Sequence, residues 1–479
     1  MMYNIFAETR YQTTKGRNAM KKIFALALAF VMAAAVLASC GSEDSSAASS
    51  KSSGTASTAE DVSDAGNGDS AEEPDESSED TPADNGSDLK APVNDGPIDV
   101  TKGCTENMLI RSVHFEGDTT RLAAKLKEAK DPDVKKMTNI VFLGDSITAG
   151  STVSNSKFQY VKQFENWWKD NVGVLYRVYN AGIGATDSYY GVHRVDRDVL
   201  SYEPDIIVIE FINDAGGGDF YKAAMESLVR KCLAYETKPA VILLEMSLEG
   251  GSNAQEAHAA VGEKYNVPVL SYHDAVNPEI EAGNLTFTSS KRKPSDTDGI
   301  SSDGTHPNDC GHTMVFEILS NFISGVMDKL DTIDTTDVPA FDPDSESIAG
   351  DIYKNAKVSD SSTGDVEVNM GDNFTDTTTP WNFQNGWSTG KGGTIEFEME
   401  FRNLGMCYYK TTNGKTGAAT VSVDGAEVAV VDGDFSGGWG DYGASVEVYR
   451  SEETAKHKVT VTVPEGERDD FEVLAWLVS

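Results

Sequence analysis

Cysteine is scarce in this chain: five in 479 residues, scattered, with no CxxC pair and no convincing ligand cluster, so neither a zinc ribbon nor a disulfide framework is expected. Basic residues are outnumbered as well. Lys and Arg total 40 against 77 Asp and Glu, a formal net charge of −37 that repels nucleic-acid phosphates and anionic lipid headgroups. Nucleic acid is therefore not expected as a partner, and the acidity reads as the solubility of an exported protein. The run Gly216-Gly217-Gly218 lacks the spacing and the lysine of a phosphate cradle, and turns such as Asp432-Gly433-Asp434 lack the ordered ligand positions of a calcium loop. No cofactor and no metal are expected on these grounds.

What is present begins with an address. From Met20 the sequence runs MKKIFALALAFVMAAAVLASC, two lysines followed by an apolar stretch too short and too rich in small residues for a comfortable membrane span. Its ending, Leu37-Ala38-Ser39-Cys40, resembles the bacterial lipobox, which implies that residues 20–40 are a lipoprotein signal and that Cys40 carries the lipid. The competing readings are an ordinary signal peptide or an uncleaved anchor helix. The expectation is an exported chain held at the outer face of the cell membrane by its N-terminal lipid alone. Residues 41–100 are mostly Ser, Ala, Asp, Glu and Gly, with too little apolar surface to offset ordering entropy, so they read as an extended acidic tether.

From residue 107 the pattern changes. Short apolar runs such as Ile140-Val141-Phe142-Leu143, with others near residues 174–179, 205–212, 240–246 and 267–271, alternate with amphipathic stretches of helical period. Continuous β-branched runs separated by helices predict a five-stranded parallel sheet covered on both faces, a three-layer α/β/α sandwich spanning residues 107–332. Past an Asp-, Thr- and Pro-rich connector, residues 345–479 show period-2 alternation, clearest in Ile395-Glu396-Phe397-Glu398-Met399-Glu400-Phe401. Asp424-Gly425 has the composition of a tight hairpin turn. An all-β sandwich, of jelly-roll type, is predicted there.

The chemistry-bearing residues stand where strands end. Gly144-Asp145-Ser146-Ile147-Thr148 follows the first apolar strand, Asn180-Ala181-Gly182-Ile183-Gly184-Ala185 the second, and Asn213-Asp214 the third, while Asp303-Gly304-Thr305-His306-Pro307 precedes the last helix. A lone Gly-Asp-Ser is an ordinary turn or cap, and an Asn after a strand is an ordinary turn former. Together and in this order the four segments resemble the signature blocks of the SGNH (GDSL) hydrolases, a family of esterases, lipases and thioesterases on a flavodoxin-like fold. A serine hydroxyl needs a base within hydrogen-bond reach, and histidine suits that duty. The resemblance implies Ser146 as nucleophile, His306 as base and Asp303 as its orienting partner, with no cofactor. It also implies an oxyanion hole from the Ser146 N–H, an N–H at Gly184 or Ala185, and the Asn213 amide. Two departures stand out. Ala185 occupies the usual glycine position of the second block, and Phe211 replaces the glycine of the third, which is expected to narrow the acyl space.

The remaining histidines read as structural, His258 on its amphipathic helix among them, and Asp145 and Asp214 read as organisers of loops. In the β region Trp381, Trp387, Trp439 and Tyr442 are candidates for stacking on sugar rings, against the plainer reading of core or hinge packing. The expected activity is therefore that of a serine esterase removing acetyl groups from a polysaccharide or oligosaccharide, in the manner of acetylxylan esterases. Two alternatives remain, a lipase or lysophospholipase acting on longer acyl chains and a surface glycan-binding protein without turnover.

Overall fold

A computed structural model describes residues 91–479 except 339, 378–382 and 384; the lipobox cysteine Cys40 and Trp381 lie outside the described residues. Among the described residues no helix is long and apolar enough to cross a membrane.

After a short strand β1 (Val113–Phe115), the apolar runs become strands β2 (Thr138–Gly144), β3 (Tyr176–Gly182), β4 (Ile206–Ile209), β5 (Ala240–Glu245) and β6 (Val269–Ser271). The amphipathic stretches become α1 (Glu106–Arg111), α2 (Thr120–Lys130), α3 (Ser146–Ala149), α4 (Tyr160–Asn171), α5 (Ser188–Asp198), α6 (Gly218–Ala234), α7 (Gln255–Lys264), α8 (Tyr272–Glu281) and α9 (Asp309–Asp328). Strands β2 to β6 are mutually parallel in the order β3-β2-β4-β5-β6, the doubly wound arrangement in which strand order reverses beside β2. The sixth strand, β1, adds antiparallel beyond β6 and is not expected from sequence, because Val113-His114-Phe115 forms no continuous apolar run.

Alternation along β2 shows how the layers arise. Ile140 and Phe142 enter one apolar cluster with residues of α2, α4, α8 and α9, whereas Val141 and Leu143 enter another with α5, α6 and α7. Both faces of the sheet are thus buried, as continuous apolar strands require. The packed chain reaches back to Ala91, into the stretch read as tether: the buried guanidinium of Arg111 takes the Pro92 carbonyl at 2.6 Å, and Val100 joins the core.

The strands of the C-terminal region pair antiparallel: β7 (Lys357–Ser359), β8 (Glu367–Asn369), β9 (Thr375–Thr377), β10 (Gly386–Gly390), β11 (Gly393–Lys410), β12 (Ala418–Val423), β13 (Ala426–Asp432), β14 (Tyr442–Val463) and β15 (Asp470–Val478). The Asp424-Gly425 pair makes the predicted turn between β12 and β13, both residues at positive φ (51° and 83°). Long strands β11 and β14 run through the whole sandwich. Ile395, Phe397, Met399 and Phe401 of β11 face its core; register shifts after Phe401 reverse the parity, so Leu404, Met406 and Tyr408 face inward instead. The opposite face of this second half is buried too. Cys407 of β11, with Leu474, Ala475 and Leu477 of β15, packs into the same cluster as α5 and α6, so the β-sandwich covers the outer side of that helical layer.

Candidate active site

β2 delivers Ser146. The strand ends at Gly144, and Asp145 caps the short helix α3 by accepting the Ile147 N–H at 2.9 Å, which leaves Ser146 as the first helical residue at the carboxyl end of the sheet. Its Oγ lies 2.9 Å from Nε2 of His306. The His306 Nδ1 lies 2.8 Å from Oδ2 of Asp303, whose other oxygen accepts the backbone N–H groups of Thr305 and His306 at 2.9 and 2.8 Å. Burial alone would raise the Asp303 carboxyl; the bonds from His306 and the two N–H groups outweigh it and hold the group below its ordinary value. An ionised Asp303 fixes the tautomer that presents a bare Nε2 to the serine.

Around the serine stand groups able to receive negative charge. The N–H groups of Ser146, Gly184 and Ala185 donate to no protein acceptor among the described residues. A Cβ built on Gly184 would stand 3.7 Å from that of Ser146 with nothing else near it, so this residue opens toward the hydroxyl. Ala185 adopts φ 61°, the left-handed region that favours glycine, which accounts for the glycine expected at this position. Asn213 sits in a 3₁₀ turn after β4; its amide donates to the Thr186 carbonyl at 2.9 Å, leaving its second hydrogen unspent, and its backbone N–H donates to Asp145 at 3.2 Å. Ser146, Asp303 and His306 are half-buried, whereas Asn213 and Gly184 are exposed, so the site lies open at the surface.

Phe211 does not narrow it. The ring is buried to 2 % exposure and fills the space beside Gly191 on α5, where a side chain would collide with it, so the third-block departure changes the core and not the cleft.

Beneath the site lies a polar layer that sequence reading largely missed. Glu210, at the end of β4, accepts the Thr148 hydroxyl at 2.7 Å and the Ile212 N–H at 3.0 Å. Asp214 accepts the Ser188 N–H at 2.9 Å and meets Nε2 of His258 at 3.0 Å, while the other ring nitrogen faces Glu245 at 3.1 Å. Burial raises the carboxyls of Asp145, Glu210 and Asp214 above their ordinary values. His258, read as merely structural, is thus the bridge between α7, β5 and the turn that carries Asn213. His312 is stacked on Tyr160, and burial lowers its ring to about 4, so it is a neutral packing group beside the triad loop. Nothing but long-range pairing reveals these partners.

The aromatic candidates of the β region separate. Trp387 is 1 % exposed and packs edge-on against Phe397 in the sandwich core, which corrects its reading as a sugar contact. Trp439 is 47 % exposed and stacks on Tyr442 at 4.8 Å, with Phe435 edge-on to both. Three residues beyond Tyr442, the Ser445 hydroxyl donates to Asp187 at 3.2 Å, so this part of the sandwich adjoins the second-block loop.

Residues 142–314 match the model of the GDSL-like lipase/acylhydrolase family. No curated protein matches the chain. Among solved structures, a two-domain esterase (CEX) active on acetylated mannans is similar at 29 % identity and TM-score 0.67, covering 78 % of this chain and 98 % of that one. A second structure of that esterase, co-crystallised with mannopentaose, is similar at 28 % identity with the same TM-score and coverage.

Proposed function

We propose, for a carboxylic ester hydrolase whose residues 142–314 form a GDSL-like lipase/acylhydrolase domain, that the substrate is an acetylated polysaccharide and that Ser146 is the nucleophile. The reading rests on the chain of contacts Ser146–His306–Asp303 at 2.9 and 2.8 Å. As Ser146 Oγ attacks the acetyl carbonyl, His306 takes its proton, and Asp303 stabilises the imidazolium. Negative charge on the carbonyl oxygen is received by the N–H groups of Ser146 and Gly184 and by the Asn213 amide. Collapse releases the sugar hydroxyl, which recovers the proton from His306. Water, deprotonated by the same ring, then frees acetate from the acyl-serine.

Three observations favour a polymer with short acyl groups over a lipid. The site is open at Asn213 and Gly184, the likeness to the mannan esterase spans both of its domains, and the stacked Trp439 and Tyr442 offer a flat apolar face for a pyranose ring. Mannan therefore stands before xylan as the polymer to try. We further propose that Cys40 bears the lipid anchor, so that the enzyme works at the cell exterior.

The test is acetate release from acetylated mannan. Ser146→Ala should release none, and retained turnover would remove Ser146 from the mechanism. Synthetic esters of increasing acyl length separate the lipase alternative, which requires a preference for long chains.

A further inference from the structure

Arg194 projects from α5 into the interior with 0 % exposure, which is costly for a group that keeps its charge at any physiological pH. Its contacts are specific. One terminal nitrogen donates to the Ala181 carbonyl at 2.7 Å and to Asp198 at 3.1 Å, and the other donates to the Gly144 carbonyl at 2.8 Å. Gly144 ends β2, two residues before Ser146; Ala181 lies in β3, three residues before Gly184. The same Gly144 oxygen also accepts the Ile183 N–H at 3.1 Å, so the two strand ends that carry the nucleophile and the second-block donor are tied at one atom.

We infer that Arg194 is a positioning residue for ester hydrolysis: its guanidinium, bonded to the Gly144 and Ala181 carbonyls, fixes the separation of the Ser146 and Gly184 loops. A planar fork suits this task because its two terminal nitrogens hold two carbonyls at a fixed spacing, whereas a lysine offers one nitrogen on a flexible stem. Oxyanion donors act only when already in place as charge develops, so a clamp behind them acts on turnover more than on substrate binding.

The inference rests on the acyl-Ser146 reading, and its test separates the two. In the full chain, reactive serines are counted by exhaustive fluorophosphonate labelling, and turnover of p-nitrophenyl acetate is expressed per labelled site. Arg194→Met should lower kcat per site by roughly 10- to 100-fold with KM within about threefold, because small misplacements of reacting groups cost that much. Arg194→Lys should fall between it and the parent. Asp198→Asn, which leaves both carbonyl bonds, should retain kcat per site. A merely structural arginine would cost labelled sites and melting temperature while each surviving site turned over normally, and that result in Arg194→Met overturns the clamp. If Arg194→Met does not fold, Arg194→Lys decides: a deficit in kcat per site upholds the inference, and parental kcat overturns it. Full activity in Ser146→Ala would instead fail the underlying reading, whatever the arginine variants do.

Discussion

The hydroxyl of Tyr189, on the outer helical layer of the hydrolase, lies where a side chain on Gly405 of the β-sandwich would have to go. Tyr189 itself is buried, and its ring meets Tyr353, four residues ahead of β7, edge-on at 5.3 Å. Helix α5, the segment around Tyr353 and the sandwich therefore share one apolar interior, and the described residues belong to one compact unit.

Gly405→Val should loosen that contact. Overpacking of this kind costs about 1–3 kcal/mol, read as a lower denaturation midpoint in urea. An unchanged midpoint would mean that the two surfaces are not pressed together as described.

Asn213→Ala should remove an oxyanion donor while leaving the triad contacts intact. We expect a loss of about 2–4 kcal/mol of transition-state stabilisation, mostly in kcat. Steady-state kinetics on p-nitrophenyl acetate check this, and a change confined to KM would assign Asn213 to ground-state binding instead.

The pH dependence of stability should carry the mark of His258. Burial alone would lower this ring, but Glu245 and Asp214 on either side outweigh it and push it up to about 10 from 6.5. The folded state thus binds the proton more tightly than the unfolded one. Its stabilisation is complete below about pH 6.5 and is lost as pH rises through about 10. His258→Gln should flatten the fall of melting temperature over that window and, by leaving two buried carboxylates uncompensated, cost about 3–5 kcal/mol at neutral pH. A slope that persists in the variant would assign it to other groups.

Trp439→Ala should weaken binding of the polymer and spare the chemistry. KM for acetylated mannan should rise while kinetics on p-nitrophenyl acetate stay unchanged. Equal effects on both substrates would place the ring in folding and not in glycan contact.

Much of this arrangement was legible in the residue order, for identifiable reasons. The β2 run Ile140-Val141-Phe142-Leu143 is apolar without interruption because both sheet faces are covered, and the Asp424-Gly425 turn needs two positive φ angles that these residue types tolerate. The Asp303 and His306 pair was readable because the partners are local in sequence. What escaped was non-local. Arg194 finds its carbonyls 50 and 13 residues away, and His258 meets Asp214 across 44, distances at which no spacing rule speaks. Sugar contact and core packing are both open to Trp387 from sequence; the core is its place because Gly386 lets the β10 backbone approach β15 closely and the indole fills the interior beneath.

The site of acylation decides the mechanism. Labelling the enzyme with a fluorophosphonate, digesting it and sequencing the modified peptide by mass spectrometry should find the adduct on Ser146, with labelling abolished in His306→Ala and acetate release lost in proportion to the label. An adduct on another residue, or acetate released from mannan at the parental rate by fully labelled protein, would contradict it.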